Sequence, residues 1–311
     1  MRMIIVGAGA LGLLYGARLA EAGMEVVILT RSEEQATLLR KEGIRLTKRD
    51  GAQSRVSVQA STIDSYVPDA LRQEDWIWLC VKQVHLSEHL LRQLGRLTAA
   101  GCSVLALQNG IGHLDLLGKV CPKEQLNAAI TTVGAMRIDD HSVHHTGSGA
   151  IMFGSWPKNE EKASKPQKML LKALIGAGIE GKLSNEMENV VYRKLLINAV
   201  INPLTGIFGV RNGELSADPS RLRWMKALHE ESERILIHAG MTKDADSWDQ
   251  LLHICEATAG NQSSMLRDVL AGRTTEIHWI SGGIVSLAKK MQVPAPMNEA
   301  VLTLIQTLQT N

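Results

Sequence analysis

Short apolar runs alternate with amphipathic stretches along the first half of the chain. Residues 3–6, 25–30, 76–81, 103–107 and 127–133 are apolar runs bounded by turn residues and too short for stable helices, so they read as buried strands. Residues 11–22 and 33–42 carry helical periodicity, and a polar stretch holds strand-like pieces at 44–46 and 56–58. Strands alternating with helices imply a parallel sheet with right-handed crossovers. The texture changes at 135–154, where β-branched residues, Gly and His suggest a hairpin. Residues 158–168 are charged, with Pro157 just before them and Pro166 within, and read as a surface loop. Beyond about residue 185 the strand pattern stops. Helical patterns then cover 185–201, 221–239, 248–257, 277–290 and 299–308. The expectation is an α/β domain over residues 1–184 followed by an all-helical domain over 185–311.

Composition narrows the function classes. The 311 residues are 45% hydrophobic and 21% charged, a globular balance of two-domain size. Lys plus Arg number 34 against 32 Asp plus Glu, a net charge of +2, too small for a nucleic-acid binder recognised by charge. Cys80, Cys102, Cys121 and Cys255 are scattered, with no Cys-x-x-Cys pair to suggest zinc or a disulfide framework. No apolar run approaches the ~20 residues that span a bilayer, and the first strand starts too early for a leader peptide. The chain is expected to be a soluble cytoplasmic protein with free thiols, with neither nucleic acid nor membrane as a partner.

Gly7-Ala8-Gly9-Ala10-Leu11-Gly12 fits Gly-x-Gly-x-x-Gly between a strand and a helix, the context in which that spacing binds a dinucleotide pyrophosphate. The first Gly permits the tight turn, the second lets the backbone approach the phosphates, and the third lets helix and strand pack closely. The helix N-terminus offers unpaired N–H groups and a positive dipole end. The first domain is thereby expected to be Rossmann-type. The second strand leads into Arg31 and Ser32, where a binder of a free ribose 2′-hydroxyl usually carries an acid. A guanidinium pairs with a 2′-phosphate, so the expected cofactor is NADP(H). Glu33 and Glu34 would oppose a phosphate if turned inward, but they suit the first turn of the next helix. Two later strand ends carry Lys82, a candidate for the cofactor phosphates or a substrate anion, and Asn109, a candidate for the nicotinamide ribose or the substrate.

The second domain opens with Lys194, Asn198 and Asn202 at i, i+4 and i+8 of an otherwise apolar helix, a single polar stripe. Such groups need partners when buried, since an unpaired one costs about 1–3 kcal/mol, and a substrate rich in oxygens would supply them. Pro203 is expected to stop or kink this helix. Burial lowers a lysine's pKa and suits Lys194 to proton donation, provided an acid orients it. Glu276, placed at the start of the helix from residue 277, is the candidate acid; an acid there also suits the helix dipole. Asn261, Ser263 and Ser264 form a polar cluster before a short helix, suited to capping, to ligand binding, or to both. The His-bearing hairpin at 139–147 is read as solvated or structural, and no metal site is expected.

Together these elements resemble the 2-dehydropantoate 2-reductases, or ketopantoate reductases. The matching residues are the glycine turn, Arg31, Val81-Lys82, Gln108-Asn109-Gly110, Lys194 with Asn198 and Asn202-Pro203-Leu204-Thr205, Ser263-Ser264-Met265 with Asp268, and Arg273 with Thr275-Glu276-Ile277. They run in the family's order over nearly the whole chain. The resemblance implies a Rossmann domain joined to a helical domain, with NADPH and ketopantoate bound in the cleft between, and (R)-pantoate as product, a precursor of pantothenate and coenzyme A. It implies Lys194 as general acid with Glu276 as its ion-pair partner, and Asn198, Asn202 and Ser264 as substrate contacts, supported by Asn261. Asn109 would lie between cofactor and substrate. Gly7 to Gly12, Arg31, Lys82, Asn109 and Glu276 would line the cofactor. The enzyme would act on a small 2-keto acid as a monomer or homodimer. A paralogue acting on another 2-keto acid, an opine or polyol-phosphate dehydrogenase, and a non-catalytic NADPH sensor are the competing readings.

Overall fold

A computed structural model describes residues 1–68, 71–157 and 163–309. The chain divides into two compact units, Met1–Gln108 with His113–Met187, and Asn109–Gly112 with Glu188–Asn311.

The first unit is built on β1 (Arg2–Val6), α1 (Ala10–Glu21), β2 (Glu25–Thr30), α2 (Glu33–Glu42), β3 (Ile44–Thr47), β4 (Gln53–Val56), β5 (Gln59–Thr62), β6 (Trp76–Leu79), α3 (Glu88–Thr98), β7 (Ser103–Ala106), α4 (His113–Leu117), β8 (Leu126–Thr131), β9 (Gly134–Arg137), β10 (Ser142–Gly147), β11 (Ala150–Ser155), α5 (Lys165–Gly176) and β12 (Glu180–Leu183). Its main sheet has eight strands in the order β12-β11-β8-β7-β6-β1-β2-β5. All neighbours are parallel except β11 against β8. The central strands are buried on both faces, with Trp76 and Trp78 fully enclosed, which explains their unbroken apolar runs. In register, Val6 pairs with both Leu29 and Leu79, and Leu79 pairs with Ala106. The carboxyl ends of β1, β2, β6 and β7 therefore line one rim, the edge where open α/β sheets bind ligands.

Three parts of this unit depart from expectation. The strand-like piece expected at 56–58 falls on the last residue of β4 and the two residues that separate it from β5. Only the second half of the expected 158–168 loop is described, and it is not a loop throughout. Helix α5 starts at Lys165, with Ser164 and Gln167 forming a capping box and Pro166 in the first turn; residues 158–162 lie outside the described residues. The region 135–154 also does more than form a hairpin. β9 and β10 pair antiparallel and join β3 and β4 in a separate four-stranded sheet, whereas β11 enters the main sheet.

The second unit, among its described residues, is all helical: α6 (Met187–Phe208), α7 (Asn212–Ala217), α8 (Pro219–His238), α9 (Ser247–Ala257), α10 (Ser264–Leu270), α11 (Ser281–Lys290) and α12 (Pro296–Gln309). α6 sits in the middle of it. Leu195, Leu196 and Ala199 pack in one apolar cluster with Ile277, Ile280 and Ile284, while Val200, Ile201 and Leu204 pack in another with Met225 and Leu228. The helix runs through Pro203 to Phe208, so Pro203 does not stop it. Pro203 removes one backbone donor, and an interior Pro costs about 3 kcal/mol, but the buried side chains on either side hold the helical path. Helix α11 starts at Ser281 rather than 277, because residues 276–280 form tight turns in which the Trp279 and Ile280 N–H groups donate to the Glu276 carbonyl. No helix among the described residues is long and apolar enough to cross a membrane.

Candidate active site

In the first unit the glycine turn has the shape its sequence asks for. Gly7 has φ +106°, and a Cβ there would lie 2.7 Å from Val81 Cγ1. A Cβ on Gly12 would lie 1.9 Å from the Gly7 carbonyl oxygen. A Cβ on Gly9 would meet nothing within 4 Å. The first and third glycines are thus demanded by the protein's own backbone, and the second opens onto space. Gly9 is the N-cap of α1, it offers no capping side chain, and the first turn holds no acid. The leading N–H groups of α1 therefore face outward with a positive dipole end, a cradle that fits a dinucleotide pyrophosphate.

The neighbouring strand ends put basic groups beside this turn. Gly7 packs on Cys80 and Val81, so Lys82 follows directly. Arg31 is exposed at the end of β2. Ser32 caps α2 by accepting from the Gln35 N–H. Glu33 turns along α2 to pair with Arg40 at 2.5 Å, which holds its carboxyl below the usual range and keeps it engaged away from Arg31. The His85 imidazole is discouraged from charging, chiefly by burial and then by the nearby Arg31 and Lys82 cations. Gln108, at the end of β7, donates from Nε2 to the Leu79 and Val81 carbonyls at 2.9 Å each. This ties the Lys82 segment to the one leading into Asn109.

In the second unit α6 carries Lys194, Asn198 and Asn202 on one side. Lys194 is half-buried as a residue, and burial of its ammonium pushes its pKa down to about 8, opposed by the charge of nearby Glu276. Glu276 is buried in the turn before α11, and its Oε2 accepts from Asn109 Nδ2 at 3.2 Å. Asn109 is held there by backbone. The Ile111 N–H donates to the Trp279 carbonyl at 3.0 Å, and Gly110, at φ +81°, lies so close that a Cβ would be 2.3 Å from that same oxygen. Residues from three separate stretches, Lys194, Glu276 and Asn109, thus come together. On the other side of Glu276, Thr275 is fully buried and receives the Gln309 amide at 2.7 Å.

Farther along α6, Asn202 is buried. Ser263 is the N-cap of α10, accepting from the Leu266 N–H at 3.0 Å, while Ser264 and Asn261 are exposed. The cap therefore belongs to Ser263, and the Ser264 hydroxyl is not spent on it. The Asn261 carbonyl accepts from the Asn212 N–H at 3.0 Å.

The sequence profile described as "Ketopantoate reductase PanE/ApbA" matches residues 3–158, and its C-terminal counterpart, "Ketopantoate reductase PanE/ApbA C terminal", matches residues 186–309. The chain belongs to the ketopantoate reductase family. It is an oxidoreductase with a Rossmann-type NAD(P)-binding fold. A 2-dehydropantoate 2-reductase of Bacillus subtilis is 32% identical over 312 residues, covering 100% of this chain and 98% of that protein. One from Archaeoglobus fulgidus is 30% identical over 309 residues, covering 99% and 98%. Among solved structures, a probable 2-dehydropantoate 2-reductase from Bacillus subtilis superposes with a TM-score of 0.84 at 30% identity, covering 99% of this chain and all of that one. D-mandelate dehydrogenase, solved with NADH and anilino(oxo)acetate, gives 0.89 at 25% identity, covering 100% and 99%.

For a ketopantoate reductase, the structure adds residues that spacing alone does not reveal. Gln35 donates to the Ala8 carbonyl at 3.2 Å and to the Asp140 carbonyl at 2.8 Å, bracing the glycine turn from α2 and the small sheet. Arg137 of β9 also reaches the Ala8 carbonyl, at 3.5 Å. Asn212 is buried, donates to Thr258 Oγ1 at 2.9 Å, and keeps its Oδ1 without a hydrogen-bond partner among the described residues. These groups are distant in sequence from what they support, and only the buried Asn at a helix start carries a local signal.

Proposed function

We propose that this protein reduces 2-dehydropantoate to (R)-pantoate with NADPH, a step toward pantothenate and coenzyme A. The observation that carries the reading is the meeting of Lys194, Glu276 and Asn109 beside the Asn198 and Asn202 stripe. The Gly7–Gly12 turn, including the Ala8, Ala10 and Leu11 backbone, holds the pyrophosphate. Lys82 and Arg31 neutralise phosphate charge, Arg31 at the 2′-phosphate. Asn109 and Glu276 border the nicotinamide ribose.

When bound, the reduced nicotinamide supplies a hydride to the C2 carbonyl carbon of the keto acid. Negative charge then develops on the carbonyl oxygen, and Lys194 stabilises it and gives up a proton to form the hydroxyl. With a pKa of about 8, Lys194 is mostly protonated at neutral pH and still gives up its proton readily. Glu276 holds the ammonium in place and opposes the desolvation that would discharge it. Asn198 and Asn202 fix the orientation of the substrate oxygens, and Ser264, with Asn261 in support, donates to the carboxylate. Residues 1–184 chiefly serve the cofactor and 185–311 the substrate, with Glu276 reaching the nicotinamide ribose and Asn109 between the two, in a soluble cytoplasmic enzyme that works as a monomer or homodimer.

The likeness to D-mandelate dehydrogenase favours one second reading, reduction of a different 2-keto acid. Steady-state rates with 2-dehydropantoate, 2-ketoisovalerate, oxaloacetate and phenylglyoxylate, each with NADPH and with NADH, separate the two. The proposal requires the highest kcat/KM for 2-dehydropantoate with NADPH. A higher value for phenylglyoxylate establishes the second reading.

A further inference from the structure

Thr205 lies one turn past Asn202 on α6, fully buried. Its hydroxyl lies 2.8 Å from the Ile201 carbonyl, 3.0 Å from the Asn202 carbonyl and 2.6 Å from the Ser263 hydroxyl. Either hydroxyl could donate in the Thr205–Ser263 contact, and one arrangement serves every acceptor. Carbonyls only accept, so the single Thr205 proton goes back into its own helix, and the Ser263 proton is directed at Thr205 Oγ1 while Ser263 Oγ accepts from the Leu266 N–H. A directed chain results, from the α10 backbone through Ser263 and Thr205 to the carbonyls of the Asn202 turn. Around it, Gly206 admits Ile305, whose Cδ1 would lie 2.9 Å from a Cβ, so α6 has little room to shift relative to α12.

We propose that Thr205 is a positioning residue for keto-acid binding. Its hydroxyl locks the Asn202 turn of α6 to the cap of α10, so that Asn202 and Ser264 meet the substrate in one fixed geometry. The inference rests on the reading above, in which Asn202 and Ser264 contact the keto acid. Thr205 itself is buried and touches no reacting atom. Its effect is on binding geometry and leaves proton transfer at Lys194 in place.

The test compares Thr205→Val, which keeps the shape and removes the hydroxyl, with Thr205→Ser, which keeps the hydroxyl. Asn202→Ala and Ser264→Ala are measured beside them. Thr205→Val should raise KM for 2-dehydropantoate about fivefold to tenfold, the scale of one lost buried hydrogen bond, with kcat within about threefold. NADPH affinity by fluorescence titration should be unchanged, and Thr205→Ser should restore KM to within about twofold. Ser263→Ala removes the same bond from the other end and the α10 cap with it. It should raise KM at least as much, and the double variant should be no worse than Ser263→Ala alone. If Thr205→Val does not yield folded protein, Ser263→Ala and Thr205→Ser decide the matter by the same criteria. An unchanged KM in Thr205→Val, a loss confined to kcat, or a Thr205→Ser variant as impaired as the Val variant overturns the proposal while Asn202→Ala and Ser264→Ala still raise KM. If those two leave KM unchanged, the substrate assignment falls and this inference with it.

Discussion

The glycine turn of the first unit and the polar stripe of the second present their chemistry by different means. The turn works with backbone: Gly7 and Gly12 are demanded by contacts with Val81 and with the turn's own carbonyl, and Gly9 is left open. The glycines themselves lie within six consecutive residues, although Val81, Gln35 and Arg137 support them from elsewhere. The stripe works with side chains, and its members depend on segments far apart in the chain, with Asn109 reaching Glu276 across 167 positions. A backbone site tolerates little change in the residues that shape it, whereas a side-chain site can be dismantled one group at a time. Substitutions in the two regions should therefore fail differently.

The largest effect is expected at the stripe. Lys194→Ala removes the proposed proton and charge together, so kcat should fall about 10²–10⁴-fold while NADPH titration stays normal. A kcat within about threefold of the unmutated protein would move the general acid elsewhere, with Lys82 the next candidate. In the turn, Gly9→Ala should fold normally, with stability changed by no more than about 1 kcal/mol, because the added carbon meets no protein atom. It should nevertheless weaken NADPH by roughly 1–3 kcal/mol, about fivefold to 150-fold in Kd, by filling the proposed approach to the pyrophosphate. Gly12→Ala should do the reverse first and lower Tm, since its carbon would strike the Gly7 carbonyl. Equal melting temperatures for the two variants would contradict this division of labour.

Arg31 sharpens the contrast by about one order of magnitude. The unmutated protein should prefer NADPH over NADH by about tenfold or more in kcat/KM, and Arg31→Asp should erase or reverse the preference. Equal specificity constants before mutation would remove Arg31 from the cofactor site. The smallest effect is a shift in pH dependence. As the proposed proton donor, Lys194 can act only while protonated, so kcat should fall as pH rises through about 8. Glu276 is the group that raises the lysine's pKa, so Glu276→Gln should move the falling limb to lower pH. A limb that does not move would separate Glu276 from Lys194.

How much of this was legible in the chain follows from the same contrast. The order strand, glycine turn, helix, strand was readable over the first thirty residues because every signal there is local. So was the change to helices after residue 185. Three boundaries were not. Prolines and charges at 157–168 suggested a loop, but Ser164 and Gln167 turn Pro166 into part of a helix start. Pro203 suggests a stop or a kink, and the stop does not occur, because tertiary burial of Val200, Ile201 and Leu204 outweighs one missing backbone bond. Residues 277–280 continue a helical pattern, but the turns that receive Glu276 and Trp279 come first. At the site, the spacing of Lys194, Asn198 and Asn202 placed them on one side of a helix, and charge chemistry singled out Glu276. The Asn212 contact with Thr258, the Ser263–Thr205 bond and the bracing of Ala8 by Gln35 leave no trace in spacing, because each joins positions brought together only by the finished fold.

The four residues Asn109–Gly112 have a consequence for any attempt to rebuild this protein from parts. They follow β7 in the chain yet belong to the compact unit formed by Glu188–Asn311. The second unit is therefore encoded in two places. A gene cut at residue 185 would produce a helical fragment whose Trp279 carbonyl lacks the Ile111 N–H and whose Glu276 lacks Asn109. Exchanging the nucleotide domain for that of another dehydrogenase would carry the same penalty unless those four residues travelled with the helices. A recombination map for this fold thus needs three breakpoints, and a single junction severs the site from its own support.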